Sequence, residues 1–369
     1  MAWSKIQPGR HGVTAAVGAG LMLGLLALVP TLPASVSAAP ALAAAGAGAH
    51  TAGVWSRGAA LPAGSAGDVP AMLSCGSPAF CVAFDQEGAG AWTYNGGKWS
   101  FDAHAGPSGG FGALTGLQCF ADRTCVATDA QADLITYAAG RWSSRSGPTQ
   151  NGGGPMGCPS SDLCLFVDGV GQSYTWDGRG FSRPQVAYPS LANTMGSGAV
   201  AIACATATKF CAVANELGDL GTYNAGHWGP LSDPYGSFPL GAGCASATDC
   251  IAAFRPAPGH PAPHGNWAEY DGHTWSRHPG GAAGFPSAVS SLAGTLSCGA
   301  GSCADLQQRG PATGLAAVWQ GGQWLATGTF PDRGAQPQLL SCAPSGWCMA
   351  LYAPASGSAA GRTWLLELG

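Results

Sequence analysis

The sequence predicts an all-β chain, a seven-bladed β-propeller of four-stranded blades. Three observations carry that prediction. Fourteen cysteines fall into seven close pairs: Cys75/Cys81, Cys119/Cys125, Cys158/Cys164, Cys204/Cys211, Cys244/Cys250, Cys298/Cys303 and Cys342/Cys348. The first cysteines follow one another at 44, 39, 46, 40, 54 and 44 residues, the length of a propeller blade. A strand missing from the last repeat reappears at the other end of the chain.

The first blade shows why each element forms. Met72–Cys75 is a short apolar inner strand. Gly76-Ser77-Pro78 breaks it into a turn. Cys81–Phe84 is apolar on both faces, as a strand sandwiched between neighbouring blades should be. Ala91–Tyr94 is the third strand, and Asn95-Gly96-Gly97 supplies the positive φ of a tight hairpin. Lys98–Phe101 is the outer strand. Later repeats keep the register. Tyr137, Trp176, Tyr223, Tyr270 and Trp319 are followed, after four intervening residues, by Trp142, Phe181, Trp228, Trp275 and Trp324. Aromatic residues recurring in every blade point to packing between blades, about 1.5–3 kcal/mol each when buried.

The seventh repeat stops after its third strand, read as Trp364–Leu368. Val54-Trp55-Ser56 matches Lys98-Trp99-Ser100, and Trp55 lies 20 residues before Cys75 just as Trp99 lies 20 before Cys119. The N-terminal strand is therefore predicted to complete the C-terminal blade, which removes the free edges an open sheet would leave.

The N-terminus reads as an export signal. Lys5, Arg10 and His11 precede an apolar run from Val13 to Val29 and small residues from Ala34 to Ala39. The predicted organisation is a signal peptide over 1–38, an Ala/Gly-rich linker over 39–50 and the propeller over 51–369. The alternative is an uncleaved anchor, for which seventeen residues with three glycines is marginal length. Secretion or display at the cell surface turns evenly paired cysteines into a disulfide framework. A zinc reading fails because the pairs lie far apart, with no regular histidine beside them. Each bridge closes a very small loop and is worth about 2 kcal/mol by loop entropy. Only 9% of residues are charged and the net charge is −4, which argues against nucleic acid. With 46% apolar residues the chain also buries too much to be disordered.

From residue 54 to 369 the chain resembles the broad group of propellers that holds kelch, WD40 and Asp-box repeats. It is most similar to secreted bacterial propellers of unassigned function with one Cys pair per blade. It departs from each named pattern. Asp85, Asp129 or Asp168 stands near where kelch repeats carry Gly-Gly, and no Trp-Asp ends a blade. Gly272-His273-Thr274-Trp275 matches half an Asp-box, with Tyr270 at the Asp position. The resemblance implies the architecture, and that function sits on the face of the second-to-third-strand loops.

Two features fall on that face. Asp85, Asp129, Asp168 and Asn215 each stand four residues after a second cysteine. Such oxygens could bind Ca²⁺ or sugar hydroxyls; Asp and Asn also simply cap turns. No cofactor or resident metal is otherwise expected. The second feature is asymmetry. From second cysteine to strand-end residue the distance is 12 or 13 in blades one to four, then 20 (Tyr270), 16 (Trp319) and 20 (Leu368). The longer loops hold Arg255, His260, His264, Arg309, Tyr352 and Arg362. Three arginines could converge on a carboxylate. A scaffold grafts its sites onto such loops.

Glycoside hydrolysis needs two facing carboxylates, whereas Glu87, Asp133, Glu216, Asp219 and Glu269 are scattered. The prediction is therefore a binding module for a glycan or an extracellular protein, monomeric, without nucleic acid or further membrane contact. The alternative is a propeller-type glycoside hydrolase, sialidase-like with Tyr352 as nucleophile, or a polysaccharide lyase.

Overall fold

The computed structural model describes residues 55–369 apart from 65–68, 107–110, 150, 188–198, 233–237, 255–265, 279–289, 309–313, 330–334, 355–361 and 368–369. Chain contacts separate 1–48 from 49–369. The predicted signal and linker lie outside the described residues. No helix among those residues is long and apolar enough to cross a membrane.

The described strands form seven four-stranded antiparallel sheets. In the first, Pro70–Ser77 pairs with Phe80–Asp85, then Ala91–Asn95, then Lys98–Asp102. The other blades repeat this order. Each inner strand touches the inner strand of the next blade, and Ala335–Cys342 touches Pro70–Ser77, so the series closes on itself. The chain is a β-propeller of four-stranded blades.

Closure follows the predicted route. Ser56–Ala60 pairs antiparallel with Arg362–Glu367, matching Ser56 to Leu365 and Arg57 to Trp364. Trp55, 8% exposed, enters a cluster with Leu306, Val318 and Leu340. One expected register needs correction. Leu366, not Leu368, faces Cys348. The last blade has no aromatic at this position, so nothing in its sequence marks the strand end.

All seven disulfides form as paired, and no cysteine is free. Seven such bonds suit an oxidising extracellular environment. The second cysteine of every pair is sealed inside its blade. Cys81, Cys125, Cys164, Cys211, Cys250, Cys303 and Cys348 are each at most 2% exposed. The physical reason is their place on the second strand, which neighbouring blades cover on both faces. These seven are core residues whose sulfurs pin the inner hairpins, as the predicted disulfide framework requires.

Cys75 stands directly opposite Cys81 across the inner hairpin, with Cα atoms 4.0 Å apart. So narrow a spacing marks a pair without mutual hydrogen bonds, whose N–H groups point away from each other. Three such N–H groups are caught by a serine of the preceding blade. Cys75 N donates to Ser341 Oγ at 2.9 Å, Cys119 N to Ser74 Oγ at 2.8 Å and Cys342 N to Ser297 Oγ at 2.9 Å. These latches span blades six, seven, one and two, the arc that contains the closure. Where glycine precedes the first cysteine in blade three, the reason is steric. A Cβ on Gly157 would meet Ile202 Cγ2 at 2.6 Å and Cys204 Sγ at 2.8 Å.

The aromatic register does pack blades together. Tyr137 stacks on Phe80 of blade one (centroids 6.0 Å), Tyr270 on Phe210 of blade four (5.3 Å) and Tyr94 on Trp347 of blade seven (6.4 Å). Within a blade, Tyr94 also meets Trp99 at 5.3 Å across the outer hairpin.

Candidate functional site

The alternating strand directions give the ring two ends. The disulfide end holds the turns of the inner hairpins and of the outer hairpins. The connection end holds the turns between second and third strands and the links between blades. The connection end is where function is expected, and four adjacent turns there share one construction.

In blades one to four the chain leaves the second strand through Asp85, Asp129, Asp168 or Asn215. The fourth residue of each turn has positive φ: Gly88 (66°), Ala132 (66°), Gly171 (79°) and Gly218 (91°). Its N–H donates back to the carbonyl of the first residue, at 3.4, 3.0, 3.1 and 3.1 Å in that order. The side chain of the first residue fixes the turn from inside. Asp129 Oδ1 accepts from Gln131 N (3.0 Å) and Asp133 N (2.8 Å). Asp168 Oδ1 accepts from Val170 N (3.1 Å) and Gln172 N (2.8 Å), and Asn215 Oδ1 from Leu217 N (3.0 Å) and Asp219 N (2.9 Å). Asp85 accepts from Ala89 N and Gly90 N through its two oxygens.

These four residues are the sequence's candidate ligands for Ca²⁺ or sugar hydroxyls, and the geometry gives them another task. All are buried, at 6, 3, 2 and 0% exposure. Asp168 Oδ2 is also occupied, by Thr149 Oγ1 (3.0 Å) and Asn151 Nδ2 (3.2 Å), while Asn215 Nδ2 donates to Asp219 Oδ2 (2.8 Å). Each side chain faces its own turn, and that of Asp168 faces the preceding inter-blade link as well. Among the described residues no three His, Cys, Asp or Glu side chains gather as metal ligands would. Burial holds the Asp129 carboxyl above the usual carboxylate range, with repulsion from Asp133 adding and the turn N–H groups opposing.

What the turns display is their middle residues. Glu87, Gln131, Val170, Glu216 and Leu217 are all exposed. Among the described residues the exposed large apolar side chains are Val69, Val170, Val186, Leu217 and Phe238. All five lie at the connection end. Val170 and Leu217 sit in the capped turns of blades three and four. Val69 and Phe238 immediately precede the inner strands of blades one and five. Val186 pairs with Gln172, the first residue after the blade-three turn. The sequence reading missed them. A valine or leucine in a glycine-rich turn is conspicuous only once the topology puts five of them at one end.

The basic cluster predicted on blades five to seven is only partly within view. Arg255, His260, His264 and Arg309 lie outside the described residues. The Arg362 backbone pairs with Tyr352 and Ala60. Tyr352 is 3% exposed, within the cluster of Trp55, Leu306 and Leu340. That burial corrects its reading as a displayed binding residue or nucleophile.

Two other features have geometry. A channel of about 200 Å³ runs between the inner strands, lined by Leu73, Met156, Ile202 and Leu340 together with the latch residues Ser74 and Ser341. On blade five, His278 Nε2 lies 3.1 Å from Glu269 Oε2, and its ring stacks on Trp267 at 4.1 Å. Burial raises the Glu269 pKa, opposed by His278 and reinforced by Asp249. The nearby acids are committed elsewhere. Asp249 accepts from Trp319 Nε1 (2.9 Å), and Asp271 from His273 N and Thr274 N (2.8 Å each).

No family model matches this chain, and no curated protein does. Among solved structures it is similar to YCF48 from Cyanidioschyzon merolae, at 12% identity and TM-score 0.59, covering 85% of this chain and 99% of that one. YCF48 bound to D1 peptide matches at 10% identity and TM-score 0.54, covering 86% and 95%. A catalytically inactive virginiamycin B lyase from Staphylococcus aureus with quinupristin matches at 11% identity and TM-score 0.61, covering 85% and 99%. At such identities the likeness is one of fold.

Proposed function

We propose that this is an exported binding module whose connection end captures a segment of an extracellular protein. The observation that carries the reading is the gathering of Val69, Val170, Val186, Leu217 and Phe238 at that end. Exposed apolar side chains scattered singly are ordinary; their confinement to one end of a ring is what a docking face requires. The capped turns of blades three and four hold their apolar residues on a backbone fixed from beneath, which lowers the ordering cost of binding. The signal-like N-terminus and the seven disulfides support export. YCF48, a propeller of similar fold, is described bound to a peptide, which supports a peptide-binding role without specifying the ligand.

The test is selection of a displayed linear-peptide library on the purified protein. Selected clones should lose binding to Val170→Ser/Leu217→Ser and keep it to Lys98→Ser/Lys209→Ser, substituted at the opposite end. Clones indifferent to the first pair, or a library that yields none, would overturn the proposal.

A further inference from the structure

Resting on that reading, we infer the chemistry of the captured segment: it is cationic as well as apolar, an extended stretch carrying lysine or arginine among large aliphatic side chains. In blades one to four the lysines and arginines of the turns stand at one end, whereas acids stand at both. At the connection end the turns hold Glu87 and Glu216, both exposed, with Asp133 and Asp219 half-buried. Between Asp85 and Phe238 the described second-to-third turns and inter-blade links contain no lysine or arginine. The cations of the same blades stand at the disulfide end, beside three exposed acids, Asp122, Asp162 and Asp177. Lys98, Arg123, Arg141, Arg179 and Lys209 are all exposed in or beside its turns. Arg145, on an outer strand, also directs its guanidinium to that end, over the Trp176 ring at 3.8 Å and onto Arg179 O at 3.3 Å. Arg183 lies midway along the outer edge of blade three, between Phe181 and Gln185, and belongs to neither end.

The acids and the apolar residues are interleaved. Glu216 and Leu217 are consecutive in one turn, and Val170 occupies the matching turn of the neighbouring blade. The half-buried Asp219 carboxylate lies beside them, accepting from Asn215 Nδ2 at 2.8 Å. A purely apolar segment would leave Glu216 facing apolar atoms, and desolvating an unpaired carboxylate is costly. An acidic segment would meet like charge. A basic, aliphatic one satisfies both the carboxylates and the exposed Val170 and Leu217. The same segment meets mixed charge at the other end, so the described turns of blades one to four favour binding at the connection end.

Fluorescence anisotropy with three labelled model peptides of equal length tests this: one alternating Lys and Leu, one Glu and Leu, one Lys and Ser. The Lys–Leu peptide should bind at least about tenfold more tightly than either other, since both its charge and its apolar surface are used. Raising salt to about 0.5 M, or Glu87→Gln/Glu216→Gln, should each weaken it several-fold. Val170→Ser/Leu217→Ser should weaken it by about tenfold. Thermal melts would confirm that these exposed substitutions leave the fold intact. Equal or tighter binding of the Glu–Leu peptide that still depends on Val170 and Leu217 would sink the charge inference and leave the docking face standing. Lys–Leu binding indifferent to Glu87 and Glu216 would do the same. Binding indifferent to Val170 and Leu217 would remove both.

Discussion

Asp168 and Asp129 stand at the same place in neighbouring blades, yet the structure predicts opposite responses to one substitution. Asp168 accepts four hydrogen bonds, two from its turn and two from Thr149 and Asn151. Bonds to a charged acceptor are worth about 1.5–3 kcal/mol each, and recovered solvation of the carboxylate offsets part of the sum. Asp168→Ala should therefore cost about 3 kcal/mol. Asp168→Asn keeps the Oδ1 bonds but turns a donor toward Asn151 Nδ2, and should cost about 1 kcal/mol. Asp129 makes both of its turn bonds through Oδ1. Asp129→Asn retains that geometry while removing a charge that burial and Asp133 disfavour. It should be neutral or stabilising at pH 7, as the natural Asn215 in blade four suggests. The sign with pH follows. A folded pKa raised above 3.8 means the wild-type contribution is complete below that value and is lost as pH rises through the folded one. The advantage of Asp129→Asn should thus appear above about pH 4 and vanish below it. Urea unfolding of the three variants at pH 3.5 and pH 7 measures all of this. Asp168→Ala within about 0.5 kcal/mol of wild type, or Asp129→Asn losing stability as pH rises, would refute the capping argument.

Other outcomes can be stated more briefly. Ala132→Gly should stabilise by about 0.5 kcal/mol in urea unfolding, because alanine holds a φ of 66° where the three matching turns use glycine. Ser341→Ala removes the acceptor of Cys75 N–H at the closure seam and should cost about 1–2 kcal/mol, less if channel water replaces it. Trp55→Ala should cost about 3–5 kcal/mol by calorimetry, since its ring is buried in the seam cluster; an unchanged melting temperature would contradict closure by the N-terminal strand. Glu269→Gln should lose less stability than wild type as pH rises above 4.5, the carboxyl being held up by burial.

Much of the architecture was legible because covalent and steric demands mark it directly. Cysteine pairs bracket each inner hairpin, and aromatic residues bracket each outer one, so both hairpins announce their register. The match of Trp55 to Trp99 located the closing strand. The end of the last strand was misjudged because Leu366 and Leu368 are chemically alike there. The candidate site was harder to read. Asp85, Asp129, Asp168 and Asn215 were visible as a recurring position. Only coordinates show their oxygens turned onto backbone N–H groups. Val170, Leu217 and Phe238 carry no motif, and their grouping arises from where the ring places them.

Every sulfur bridge joins cysteines five to seven positions apart, whereas the strand that seals the circle joins the two ends of the polypeptide. In a chain made from its N-terminus, each thiol meets its proper mate before the next pair appears, so oxidation in that order needs little reshuffling. Sealing has to wait for the last strand. Until then the protein is an open series of units, each pinned or ready to be pinned, with its first strand waiting for its last.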